Sequence, residues 1–202
     1  MNKEVIFILL NNFADWEGAY IAPSLKVGVE PGRAKYIVKT LSVTKDPVVS
    51  IGGFRVLSDY DINDMPEEYA GLVLIGGMDW FTPEAQLLVP MVKNAVENGK
   101  LVAGICNASV FLGMHGFLNN VNHTSNGLEY LKSYAGLNYT GDARYADDLA
   151  VRDGGIVTAS GLGALEFCRE ILYVLDADTP ERIEENYRKY KTGIYFNPET
   201  SV

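Results

Sequence analysis

The sequence predicts an α/β fold, with a mostly parallel sheet covered by helices on both faces. Short apolar runs rich in Val, Ile and Leu have the pattern of strands buried on both sides. Helix-compatible stretches with one apolar stripe alternate with them, and that alternation folds into a parallel sheet through right-handed crossovers. The scale agrees: 202 residues, 48% hydrophobic and 21% charged, is ordinary for one domain of ~150 residues or slightly more. At that length folding buries roughly 70% of the chain's surface, so the core needs no disulfide or metal staple. No repeat, low-complexity tract or linker interrupts the pattern. One domain over 1–202 is expected, with a C-terminal helical extension from about 179.

Residues 5–10 read as the first strand. Residues 15–27 have a helical pattern, with Pro23 as a kink or early stop. Residues 36–43 are a second strand. The runs 48–51 and 54–57 flank Gly52-Gly53, a pair suited to the positive φ of a tight β-hairpin. Residues 72–75 make a buried strand that runs into Gly76-Gly77. A helix opens at Thr82-Pro83-Glu84, a capping hydroxyl followed by proline at the first helical position and an acid on the dipole. Its apolar stripe is Leu87, Met91 and Ala95 beside Leu88, Val92 and Val96, and Gly99 is its stop. Strand 101–105 leads directly into a helix at 108–112. Strand 156–159 leads into a helix over 163–175, and the charged stretch 180–191 reads as a surface helix.

The charge balance narrows the function classes. A net charge of −9 supplies no basic footprint for phosphates, so nucleic acid is not an expected partner. No stretch approaches the ~20 apolar residues of a membrane span, so no membrane partner is expected. The apolar run at 5–10 is too short for a secretory core of ~7–15 residues and is followed by Asn11, Asn12, Asp15 and Glu17, which predicts a cytoplasmic protein. Two cysteines, Cys106 and Cys168, make no disulfide framework. With only His115 and His123 beside them, no metal site and no cofactor are expected.

Ligands of open parallel sheets bind beyond the carboxyl ends of the strands. Three strand ends carry unusual chemistry there. Gly104-Ile105-Cys106-Asn107-Ala108 is a cysteine counterpart of the G-x-S-x-G elbow, in which a sharp strand-to-helix turn presents the corner side chain. A sulfur at a helix N-terminus can have its pKa lowered from ~8.5 into the ~3.5–7.5 range, and the Asn107 N–H would face an oxyanion. The other reading is a buried structural cysteine. Cys168, with Ala164, Leu172 and Leu175 on one stripe, is a core position. Gly76-Gly77 reads either as a tight turn or as a backbone approach to the substrate that completes a two-donor oxyanion hole. Asp15 and Glu17 read either as helix-start residues or, for Glu17, as a protonated carboxyl sharing its hydrogen with the Cys106 sulfur. Gly161-Leu162-Gly163 lacks the third glycine of a dinucleotide fingerprint.

With these corners in order, the sequence resembles the ThiJ/PfpI (DJ-one) superfamily from about residue 5 to 175. The resemblance rests on Glu17 within Phe13-Ala14-Asp15-Trp16-Glu17, on Leu72-Val73-Leu74-Ile75-Gly76-Gly77, on the Cys106 elbow, on 111–118 and on Ser160-Gly161 to Phe167. It implies a flavodoxin-like three-layer αβα sandwich of the class I glutamine amidotransferase type, and a homodimer. Two positions depart from the family. Asn107 follows the cysteine where many members carry histidine, and Asn126 of His123-Thr124-Ser125-Asn126 occupies the place of another family histidine. His123 and Asn126 are therefore the candidate auxiliaries, with His123 three residues earlier and facing the other way on an alternating strand. Glutamine hydrolysis is not expected, because no histidine follows His123. The functional expectation is a cysteine-dependent hydrolase or glyoxalase-like enzyme acting on a small carbonyl or amide. Cys106 and Glu17 would be catalytic, and Gly76, Gly77 and Asn107 would hold the oxyanion. The alternative is a thiol-based oxidative-stress sensor or a small-molecule binding protein.

Overall fold

A computed structural model describes residues 3–194. Its six-stranded sheet is built from β1 (Lys3–Ile8), β2 (Tyr36–Leu41), β5 (Gly71–Leu74), β6 (Leu101–Ile105), β7 (Ala150–Asp153) and β8 (Ile156–Ala159). The order is β2-β1-β5-β6-β8-β7, and every pairing is parallel except β7 with β8. A separate antiparallel pair, β3 (Val48–Val49) and β4 (Arg55–Val56), is the expected hairpin.

Alternation along the strands creates the three layers. Val5 and Phe7 of β1, Val73 of β5 and Ala103 and Ile105 of β6 face one core. That core is closed by α1 (Ile21–Lys26), α6 (Ala164–Val174) and α7 (Pro180–Thr192). Ile6, Ile8, Leu72, Leu74 and Val102 face the other. It is closed by α2 (Pro83–Gln86), α3 (Val89–Glu97), α4 (Asn107–Met114) and α5 (Leu128–Ala135). Both faces of each central strand are therefore dry, which is why these strands read as continuous apolar runs.

Some boundaries differ from expectation for physical reasons. The helix expected over 15–27 is confined to 21–26. Residues 13–17 are instead drawn to neighbouring segments, with Ala14 N–H donating to Gly76 O at 2.9 Å and Ile51 N–H to Phe13 O at 2.9 Å. Pro23 falls in the first turn, where its missing N–H is not needed, so it neither kinks nor stops the helix. The helix expected from Thr82 to Gly99 is split into α2 and α3. Pro90 cannot donate to the carbonyl four residues back and clashes with it, so the helix restarts with proline in its first turn. Leu87, in the break, is half exposed, and the buried stripe is Leu88, Val92 and Ala95. Thr82 does not cap; its hydroxyl donates to Asp79 O at 2.8 Å. α5 and β7 had no sequence expectation. The extension expected from about 179 is helical to Thr192, and residues 195–202 lie outside the described residues.

Candidate active site

The site lies at the carboxyl edge of the sheet, where β1, β5, β6 and β8 are neighbours. Each of these strands delivers one piece as it ends. Cys106 follows β6 and precedes α4 directly, with φ +56° and ψ −128°. A non-glycine residue there costs on the order of 1–3 kcal/mol and persists only when its surroundings fix it. They do: the Cys106 N–H donates to Ala159 O at 2.9 Å, and its carbonyl accepts the Ser109 hydroxyl at 2.6 Å. Ser109 is in turn bonded to Ser125 at 2.7 Å. The elbow expected from the sequence is present, and Cys106 is partly buried rather than sealed in the core.

Glu17 follows β1 and is completely buried. Its Oε2 accepts the Gly76 N–H at 2.8 Å. Oε1 has no aligned partner in the resting site and faces the Cys106 sulfur, the group within its reach. Burial pushes the carboxyl up to about 7, against the pull of the Cys106 and Gly76 hydrogen bonds. Glycine is required on one side of this pair, and the other side is tight. A Cβ on Gly76 would lie 2.6 Å from Cys106 Cβ and closer still to Glu17 Oε2. A Cβ on Gly161, just past β8, would lie 3.1 Å from Sγ and 3.4 Å from Glu17 Oε1.

Two asparagines complete the surroundings. Asn126 Nδ2 donates to the Cys106 sulfur at 3.3 Å, and its orientation is set by Gly161 N–H donating to Oδ1 at 2.9 Å. Asn107 Nδ2 donates to Gly77 O at 2.7 Å, and its Oδ1 accepts the Tyr130 hydroxyl at 3.0 Å. The thiol itself is raised above its ordinary range, first by burial and then by the Glu17 charge, while the Asn126 amide and the Asn107 backbone N–H pull the other way. That corrects the expectation of a lowered thiol: the helix N-terminus does not outweigh a buried carboxyl beside the sulfur. Near neutrality it is therefore the Glu17 carboxyl that titrates, beside a sulfur that keeps its proton until a base takes it.

Of the residues singled out by sequence, the structure gathers Glu17, Gly76, Gly77, Cys106, Asn107 and Asn126. Gly76 takes a different part from the expected one, because its N–H is spent on Glu17 and not free for an oxyanion. His123 is not part of the cluster. It is fully buried, with Nδ1 on Val121 O at 2.8 Å and Nε2 on the Tyr139 hydroxyl at 2.7 Å, and burial lowers its pKa. The stretch around it is a loop with one bridge to Tyr145 rather than a strand, so the alternation argument did not apply. Asp15 caps no helix; it accepts the Gly52 N–H at 2.8 Å. Cys168 is buried beside Ser24, and burial raises its thiol to about 12. Tyr130 and Gly161 were missed as site residues. The G-L-G spacing around Gly161 was visible, but nothing local marked Tyr130. Among the described residues no group of three or more His, Cys, Asp and Glu is placed to hold a metal ion, and no helix is long and apolar enough to cross a membrane.

The chain has relatives among known proteins and solved structures. The chain is 39% identical over 194 residues to the Bacillus subtilis (strain 168) protein named uncharacterized protease YdeA, covering 96% of this chain and 93% of that one. The crystal structure of the DJ-1 superfamily protein Atu0886 from Agrobacterium tumefaciens is similar with a TM-score of 0.84 and 34% identity, covering 95% of this chain and 98% of that one. A thiJ/pfpI family protein from Bacillus anthracis gives 0.88 and 32%, covering 98% and 93%. Residues 3–173 match the DJ-1/PfpI family over nearly the whole of the described chain, and with the flavodoxin-like sandwich and the cysteine elbow in place, this protein belongs to that family.

Proposed function

We propose that the chain is a cysteine-dependent enzyme acting on a small carbonyl or amide, with hydrolase or glyoxalase-like lyase activity. The observation that carries this is the Cys106 sulfur, held at a strained corner with the Glu17 carboxyl against it. A carboxyl near 7 is well matched to proton transfer at neutral pH. In its ionised form Glu17 takes the thiol proton as sulfur attacks the carbonyl carbon. A C–S bond forms while the C=O electron pair moves to oxygen, and the N–H groups of Gly77 and Asn107 are the donors for that oxyanion. Protonated Glu17 then returns the hydrogen, to the oxyanion of an aldehyde adduct or to the departing amine of an amide.

The relative named a protease raises peptide hydrolysis as one amide case. The sulfur is flanked by amides rather than by an imidazole, and this favours aldehyde addition, which needs one proton carrier, over peptide cleavage. A second reading follows from the same amides. The N–H donors of Asn126 and Asn107 would also stabilise the oxygens of a sulfenic or sulfinic acid, as in a thiol sensor.

A panel of methylglyoxal, simple amides and peptides run on wild type, Cys106→Ser and Glu17→Gln tests the proposal. Turnover should fall by ~10³-fold or more in Cys106→Ser and by about 10²–10⁴-fold in Glu17→Gln. Full turnover by Cys106→Ser would overturn it. Oxygen gained at Cys106 under mild peroxide, with no turnover on any substrate, would favour the sensor.

A further inference from the structure

A row of aromatic rings lies on the surface beside Cys106. Phe81 and Tyr134 are stacked with ring centroids 4.3 Å apart and planes 15° apart, and Tyr130 lies 4.9 Å from Tyr134. The row starts at the sulfur's own network, since the Tyr130 hydroxyl donates to Asn107 Oδ1. The Cys106 charge is also one of the influences that raise the Tyr130 hydroxyl, after burial and Tyr134. From there the row continues along α5 to Tyr134 and across to Phe81, which precedes α2.

The row is open at its two tyrosines and anchored at Phe81, which is partly buried against the core. Tyr134 is 47% exposed and Tyr130 36%, whereas Trp80, beside Phe81 in sequence, is fully buried with its indole N–H on Ile75 O at 2.7 Å. Leu131, between the two tyrosines on α5, is fully buried in the core under this face. The rings therefore sit on rigid elements and need no rearrangement to accept another ring. The cation that α5 carries beside the row, Lys132, is paired with Asp142 at 2.8 Å and lies near Glu129.

We propose that Tyr130, Tyr134 and Phe81 form the subsite for a planar, uncharged aromatic group carried by the molecule that reacts at Cys106. The proposal deepens the carbonyl reading above by naming the substrate class as aryl rather than small aliphatic. Offset or tilted ring contacts supply selectivity for planar over saturated groups of the same size.

Two measurements test it. In the first, Cys106 of the intact protein is labelled with N-phenylmaleimide and with size-matched N-cyclohexylmaleimide. The wild-type rate ratio, divided by the ratio the two reagents give with free cysteine, should favour phenyl by about two- to twelvefold, the range of one ring-on-ring contact. It should fall towards one in Tyr134→Leu and Phe81→Leu, which keep apolar bulk but lose the ring. N-(4-carboxyphenyl)maleimide should label more slowly than N-phenylmaleimide. In the second, benzaldehyde added to Cys106→Ser should shift the ring resonances of Tyr130 and Tyr134, and cyclohexanecarboxaldehyde should not. A wild-type labelling ratio of about one, or equal shifts from the two aldehydes, overturns the subsite, as would burial of these rings against a second copy of the chain. An unreactive thiol would count against the carbonyl chemistry alone, because the binding arm on Cys106→Ser still decides the subsite.

Discussion

Glu17 is the residue where sequence, structure and chemistry meet most directly. Its folded value of about 7 lies above the ~4.3–4.5 of an unfolded chain, so between those values the folded state binds the extra proton. The stability that this proton contributes is fully present below about 4.5 and is lost as pH rises through 7. The span corresponds to about 3 kcal/mol, and denaturant melts from pH 5 to pH 8 should show that decline in wild type and not in Glu17→Gln. The same carboxylate raises the Cys106 thiol, so alkylation of Cys106 by iodoacetamide should have its pH midpoint moved down in Glu17→Gln. In Asn126→Ala, which removes a donor to the sulfur, the midpoint should move up. Cys106, Glu17 and Asn126 were legible because they follow strand ends or fill a recognisable place in the resemblance. Tyr130 was not legible. It reaches the site only through Asn107 Oδ1, and a contact between residues 107 and 130 leaves no trace in local pattern.

At the level of elements, the strands were legible and the helix limits less so. Residues 101–105 are buried at every position, and an unbroken apolar run is what a doubly covered strand must be. The two elements that escaped have weaker signals: β7 is a short edge strand carrying Arg152 and Asp153, and α5 buries only Leu131 and Ala135. The split at Pro90 shows backbone chemistry overriding an apolar stripe that seemed continuous in sequence. α7 was read as a charged surface helix, and it buries one side chain, Ile183. Its charges are also fastened, with Lys191 on Glu166 at 2.7 Å and the Tyr187 hydroxyl on the same carboxylate at 2.8 Å. Ile183→Ala should therefore cost about 3 kcal/mol of stability and expose α7 to limited proteolysis. Urea titration and protease digestion would check both.

The whole molecule adds a field to the site. With a net charge of −9, an anionic reagent meets repulsion that a neutral one does not. The dianionic disulfide reagent 5,5′-dithiobis(2-nitrobenzoate) should react with Cys106 faster as salt rises from 0.01 to 0.15 M, while the iodoacetamide rate stays level. Topology adds a constraint in time. Ala159 O, which holds the strained Cys106 N–H, and Gly161 N–H, which aims the Asn126 amide, belong to a strand end that comes well after Cys106 in the chain yet sits beside it in the sheet. During synthesis on the ribosome, the nascent chain therefore carries an unremarkable thiol until the segment around residue 160 has emerged and docked. Its strained corner and its hydrogen-bond donors come into place only with completion of the sheet.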